Sequence, residues 1–259
     1  MPVIKCNGLA SDGSACLSTR LCRAHILPSA FAKRIMGSHK KNKLLSLSAV
    51  SDTQHGVYDT EILCAVCDRH LGNAYDKYAV ENSYRSDDYL EQVPGNDLGL
   101  NDLLVLKNVD GDRLALFVLS VLWRASLSRR VKLVDLGHHA NEAKKVLFGA
   151  RRLERALPNF QVYIEKLRTR LPLSTGGFWT SPVRVADGDA WTFALAGFRF
   201  TAKFHSRPFA DEHKPFILNG SGNPLCRIVR FEDGREHAAL RDIAVANLLR
   251  RSRSQTVKQ

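Results

Sequence analysis

The chain contains no apolar run long enough to cross a membrane. Its most apolar stretch, Leu114 to Trp123, spans ten residues and is closed by Arg113 and Arg124, whereas a membrane span needs about 20. That length suits a helix buried in a protein core. Met1 to Ser14 holds no apolar segment of the signal-peptide type. The expected compartment is therefore the cytoplasm, and a membrane is not an expected partner. Internal repeats and low-complexity tracts are also absent. Acidic residues are in short supply, with 26 Asp plus Glu against 38 Lys plus Arg in 259 residues, a net charge of +12. Apolar residues make up 44%, which excludes wholesale disorder. A chain of this length can bury a core without disulfide staples. A pI near 9.6 by itself favours an anionic partner, nucleic acid or an acidic membrane surface.

The surplus charge is unevenly placed. Residues 1–100 carry 11 basic and 11 acidic side chains, whereas residues 101–200 carry 16 and 9, and residues 201–259 carry 11 and 6. Within the neutral part, Arg20 to Lys43 holds seven basic residues and no acid, while Asp52 to Asp97 holds ten acids and three bases. The whole surplus thus lies beyond residue 100. If nucleic acid is the partner, that part of the chain is expected to hold it. The basic tail Arg250–Lys258 reads as a solvated surface.

Periodicity places the elements coarsely. A β-type stretch ends in His25-Ile26-Leu27-Pro28, where proline stops a paired ladder, and Val57–Leu63 reads as a short strand. From Cys64 a helical period sets Leu71, Tyr75, Tyr78 and Ala79 on one face, and residues 83–101 look like a linker. A helix over about Asp112 to Ser128 is apolar on nearly all sides and should be enclosed. A second is expected over Ala140–Leu157, broken near Gly149, with Arg151, Arg152 and Arg155 outside. Beyond Pro158 the period becomes two. Trp191, Phe193 and Leu195 alternate, then Phe198, Phe200, Ala202 and Phe204, and the phase change at Gly197 predicts a hairpin. Residues 225–231 suggest another strand, and Glu236–Arg250 an amphipathic closing helix.

Six cysteines without an export signal point to metal or redox use in a reducing compartment. Cys64-x-x-Cys67 sits where a strand enters a helix, which turns both thiolates toward one point. A thioredoxin-like redox pair needs a βαβ context that does not precede it. Cys6-x9-Cys16 supplies a second pair, its loop rich in Gly, Ser and Asp. Cys6, Cys16, Cys64 and Cys67 therefore form a candidate structural Zn2+ site, with Cys22 competing for the place of Cys16. Cys226, flanked by Leu225 and Ile228, reads as core.

These residues resemble a known family. Cys-x9-Cys, then Ala24-His25-Ile26-Leu27-Pro28, then Asp59-x3-Leu63-Cys64-x2-Cys67-Asp68, is similar to the HNH (His-Me finger, ββα-metal) endonucleases with zinc knuckles. The motif covers about residues 6–80. Ser120-Val121-Leu122-Trp123-Arg124-Ala125-Ser126 resembles an extension found in bacterial HNH-like proteins. The resemblance implies His25 as general base, Asp59 as the group that orients it, and Asp68 as ligand to a catalytic Mg2+ or Mn2+. It implies hydrolysis of phosphodiester bonds, in DNA ahead of RNA. One position departs from the pattern: the residue before His25 should be a metal ligand, and it is Ala24. His70 and Asp76 on the same helix are auxiliary candidates for holding that metal, and both read more readily as surface residues. Arg23, Lys33 and Arg34 become candidate phosphate contacts.

The expected fold class is α+β. It comprises a treble-clef ββα-metal module (1–85), an acidic linker (86–111), a helical middle (112–157) and a small antiparallel β-rich part with a closing helix (158–259). Two other functions compete with the nuclease. One is a zinc-stabilised nucleic-acid-binding protein without catalysis. The other is a protein-interaction module, homo-oligomer included, using helix Leu114–Trp123 and hairpin Trp191–Phe204.

Overall fold

The computed structural model describes residues 4–31, 42–45, 50–53, 57–84, 90–92, 103–129, 134–168, 178–185, 190–218, 223–234 and 238. Lys33, Arg34, most of the basic run, the closing helix apart from residue 238, and the basic tail lie outside the described residues. The described chain is mixed α+β. Among these residues no helix is long and apolar enough to cross a membrane.

The N-terminal part is built on a small hairpin-like pair. Strand β1 (Ala24–His25) lies antiparallel to a later strand, Tyr58–Asp59. Between them in sequence come β2 (Asn42–Leu45) and β3 (Val50–Thr53), which join a different sheet. Tyr58–Asp59 is therefore β4. It leads through a turn to α1 (Ala65–Leu71), a π-helical turn over Gly72–Asp76, and α2 (Lys77–Tyr84). The expected helix from Cys64 is thus present as one rod with an irregular middle.

Strands β5 (Leu90–Gln92) and β6 (Leu103–Leu106) follow, in the segment that the acidic, Gly/Pro-containing composition marks as a linker. Next comes α3 (Gly111–Leu127), close to the expected Asp112–Ser128. The Asp110 side chain caps it by accepting the Arg113 N–H at 3.0 Å, which satisfies one of the four orphan donors of a helix start. Phe117, Val118, Leu119, Val121, Leu122 and Trp123 cover every side of this helix, and each is at most 1% exposed. The Phe117 ring meets Phe31 at 5.9 Å and Phe200 at 6.1 Å between centroids. The helix is therefore enclosed by both the N-terminal part and the large sheet, as its all-round apolar surface requires.

The second expected helix appears in two pieces, α4 (His139–Leu147) and α5 (Leu153–Ala156). Gly149 sits at φ +75° between them, a left-handed conformation that glycine adopts without strain. The remaining strands are β7 (Gln161–Arg168), β8 (Phe178–Thr180), β9 (Val183–Arg184), β10 (Ala190–Leu195), β11 (Phe198–Lys203) and β12 (Leu225–Arg230). The hairpin β10–β11 turns at Ala196 and Gly197, with φ of 54° and 79°. Two central residues with positive φ match the right-handed strand twist.

The large sheet runs β3-β2-β8-β10-β11-β7-β12-β6-β5, with β9 also paired to β10. It is mixed: β12 lies parallel to β7, and β2 parallel to β8. The β-rich part is therefore larger than the C-terminal segment, because β2, β3, β5 and β6 enter from upstream. Phe193 and Phe200 stack at 5.3 Å on the sheet face that meets α3. Both the apolar helix and the aromatic hairpin, which an interaction module would present outward, are buried within the chain itself.

Candidate metal centre and the pocket beside it

Four sulfurs converge at the N-terminal end of α1. The Sγ atoms of Cys6, Cys16, Cys64 and Cys67 all lie within 4.8 Å of one another. Cys16 Sγ and Cys64 Sγ are 3.9 Å apart. A tetrahedral zinc with Zn–S bonds of about 2.3 Å needs edges of about 3.8 Å, so the donor set fits such an ion in type, number and spacing. Cys22 is outside the group. Its N–H bonds the Leu63 carbonyl at 2.9 Å, which fixes it beside the segment joining β4 to α1, and Cys16 holds the second ligand position.

The backbone prepares the cluster for negative charge. Gly8 N–H and Cys64 N–H both point to Cys6 Sγ, at 3.4 and 3.3 Å. Burial pushes the Cys6 thiol up to about 11. Burial also acts upward on Cys64, but the Cys67 N–H, the Cys6 and Cys67 thiols and the Val66 N–H outweigh it and bring it to about 7. Gly8 is required by space. A Cβ there would lie 2.5 Å from Cys67 Sγ and 2.9 Å from Cys67 Cβ.

Beside the cluster is a cavity of about 410 Å³. His25 enters it from β1, Asp68 and Arg69 from α1, Gly72, Asn73 and Asp76 from the π-helical turn, and Lys77, Val80 and Glu81 from α2. Asp68 accepts the backbone N–H of His25. Burial raises its carboxyl, against the opposing pull of the Arg124 and His25 charges. Tyr58 meets the His25 ring edge-on at 6.2 Å, and the Arg23 guanidinium lies 4.6 Å over the Tyr58 ring. Arg23 is exposed at the rim of this constellation.

The π-helical turn explains why Asp68 and Asp76 share the cavity. In a regular α-helix each residue turns about 100°, so eight residues leave two side chains about 80° apart. A π-helical turn absorbs one extra residue. The separation becomes that of about seven residues, which returns the pair to within about 20°. Asp76 is therefore not the surface residue expected above. It is 8% exposed and is gripped by Arg124, whose Nη1 and Nη2 donate to its two oxygens at 2.9 and 2.7 Å. Arg124 Nη1 also donates to the His25 carbonyl at 2.6 Å. One fully buried guanidinium from α3 thus ties the helix side of the cavity to the strand that carries His25. His70 lies on another face, stacked on Phe148 at 5.1 Å.

The register of β1 and β4 places Asp59 opposite Ala24 and Tyr58 opposite His25. Asp59 is 2% exposed; its oxygens accept from the Glu61 N–H at 2.9 Å and the Ser128 hydroxyl at 2.7 Å. It ties β4 to the end of α3. Ala24 is wholly buried and offers no donor atom. The sequence pattern does not mark the bonds that Arg124 and Ser128 make. The one signal for Arg124 is that it is the charge closing the apolar run Leu114–Trp123.

No family model matches the chain, and no curated protein or solved structure matches it.

Proposed function

We propose that the chain is a metal-dependent phosphodiester hydrolase of HNH type, with a treble-clef module held by structural zinc. The observation that carries this reading is the cavity that joins His25 and Asp68 beside the four-cysteine cluster. His25 is the general base: its imidazole takes a proton from a water molecule as the water oxygen attacks phosphorus. The new P–O bond forms as the bond to the leaving sugar oxygen breaks, and that oxygen takes a proton from solvent. Asp68 and Asn73 offer oxygen donors of the kind that suit magnesium or manganese. Such an ion supplies charge stabilisation of the phosphoryl group and of the leaving oxygen. Asp76 is the weaker candidate ligand, because Arg124 occupies both its oxygens. Arg23, exposed and stacked over Tyr58, is the proposed contact to a flanking phosphate.

A second reading, nucleic-acid binding without cleavage, is favoured by Ala24, which leaves the usual ligand position without a donor. Supercoiled plasmid incubated with zinc-loaded protein and Mg2+ or Mn2+ separates the two. The nuclease reading expects nicking that His25→Ala abolishes. Binding at low salt without nicking, or equal nicking by His25→Ala, overturns it.

A further inference from the structure

The helix break between α4 and α5 forms a second concave site, which shares no lining residue with the His25 cavity. Gly149, Ala150, Arg151, Arg152 and Arg155 line a depression of about 810 Å³. All three arginines are exposed. Glu142 answers only part of this charge. It accepts from Lys145 at 2.6 Å and from Arg151 at 3.0 Å, which orients Arg151 along the rim. Arg152 and Arg155 have no carboxylate partner among the described residues. From residue 139 to 157 the chain holds five basic and two acidic side chains.

The turn is mounted firmly. Ala150 and Arg151 both donate their N–H groups to the Lys145 carbonyl, at 2.8 and 3.2 Å. Phe148, just before it, packs against Trp123 at 5.9 Å and on His70. A Cβ at Gly8 would touch Phe148 at 3.0 Å, and one at Gly13 would meet Ala150 at 4.0 Å. The arginine turn therefore rests on the loop that carries Cys6 and Cys16. A solvated surface needs neither a concave shape nor a rigid seat. Guanidinium groups fanned around a fixed hollow suit the oxygens of a polyanion, which Arg binds in bidentate fashion.

We infer that Arg151, Arg152 and Arg155 form a phosphate-backbone site that holds nucleic acid on the chain. This rests on the nucleic-acid reading of the His25 cavity and adds a holding surface to it. It also places part of the positive surplus beyond residue 100 in a defined location.

Fluorescence anisotropy of a labelled DNA duplex, read across a salt series with zinc-loaded full-length protein, tests the inference. Each phosphate contact contributes about 0.9 to the slope of log K against log salt. Arg152→Ala/Arg155→Ala should flatten the slope by about 1.8 and weaken binding about tenfold or more at low salt. Arg152→Glu/Arg155→Glu should weaken it further. The charge-matched control is Arg168→Glu/Arg230→Glu, two exposed residues at the ends of β7 and β12; it should stay within about threefold of wild type. Equal losses in both reversals would show a net-charge effect and overturn the site. If wild type binds the duplex and the arginine-turn variants bind as well, the inference fails alone. If wild type binds no DNA or RNA at low salt, the nucleic-acid reading fails with it. Binding to phosphatidylserine vesicles but not to nucleic acid, lost in the same variants, would assign the turn to a membrane surface and overturn the inference.

Discussion

Arg124→Met removes the guanidinium while keeping most of the aliphatic stem. Three of its contacts reach outside α3: two to the Asp76 carboxylate and one to the His25 carbonyl. Breaking a buried ion pair by deleting one partner costs about 3–5 kcal/mol, because the other charge is left buried. The Asp76 side chain retains 12% exposure, so water relieves part of that penalty and the lower end, about 3 kcal/mol, is expected. That is a large share of a typical total stability of about 5–15 kcal/mol. Urea unfolding followed by tryptophan fluorescence reads it, since Trp123 adjoins the substitution. Asp76→Asn in the Arg124→Met background removes the stranded charge and should recover about 1–2 kcal/mol. A loss below about 1 kcal/mol in Arg124→Met, or no recovery in the double variant, would refute the latch between the two walls of the cavity.

Three further predictions concern the cysteine cluster. Purified protein should carry one zinc per chain by elemental analysis; Cys16→Ser should lose it and Cys22→Ser should keep it, with the reverse result reassigning the second ligand. Zinc affinity should also rise with pH, because thiols that burial holds protonated, Cys6 at about 11 among them, must ionise to bind; a flat profile from mildly acidic to mildly alkaline pH would argue against thiolate ligation. Gly8→Ala should lower zinc retention under a chelator challenge, since the added methyl meets Cys67 Sγ at 2.5 Å. Unchanged retention would mean that the loop shifts freely.

The cluster was legible in sequence because ligand spacing is local chemistry. Cys64 and Cys67 share one helix start, and the Gly- and Ser-rich loop lets Cys6 and Cys16 close on them. The hairpin at Gly197 was legible because a phase change in a period-two pattern marks a turn. The sheet was not. Lys43 pairs with Phe178 and Cys226 with Leu104, and no local pattern encodes such distant partners. Asp76 misled for another reason. An inserted residue in a helix leaves no mark in composition, yet it rotates everything after it by about 100°. Arg124 was visible only as the charge that ends an apolar run, and its partner lies 48 residues away.

On the proposed nuclease reading, the His25 cavity holds a divalent cation in spite of Ala24. Mn2+ titration of zinc-loaded protein, read by electron paramagnetic resonance of the free ion, decides this. One Mn2+ should bind per chain beyond the structural zinc, be lost in Asp68→Ala and be retained in Cys22→Ser. No bound Mn2+ in the wild type, or the same binding in Asp68→Ala, would remove the metal from the proposal.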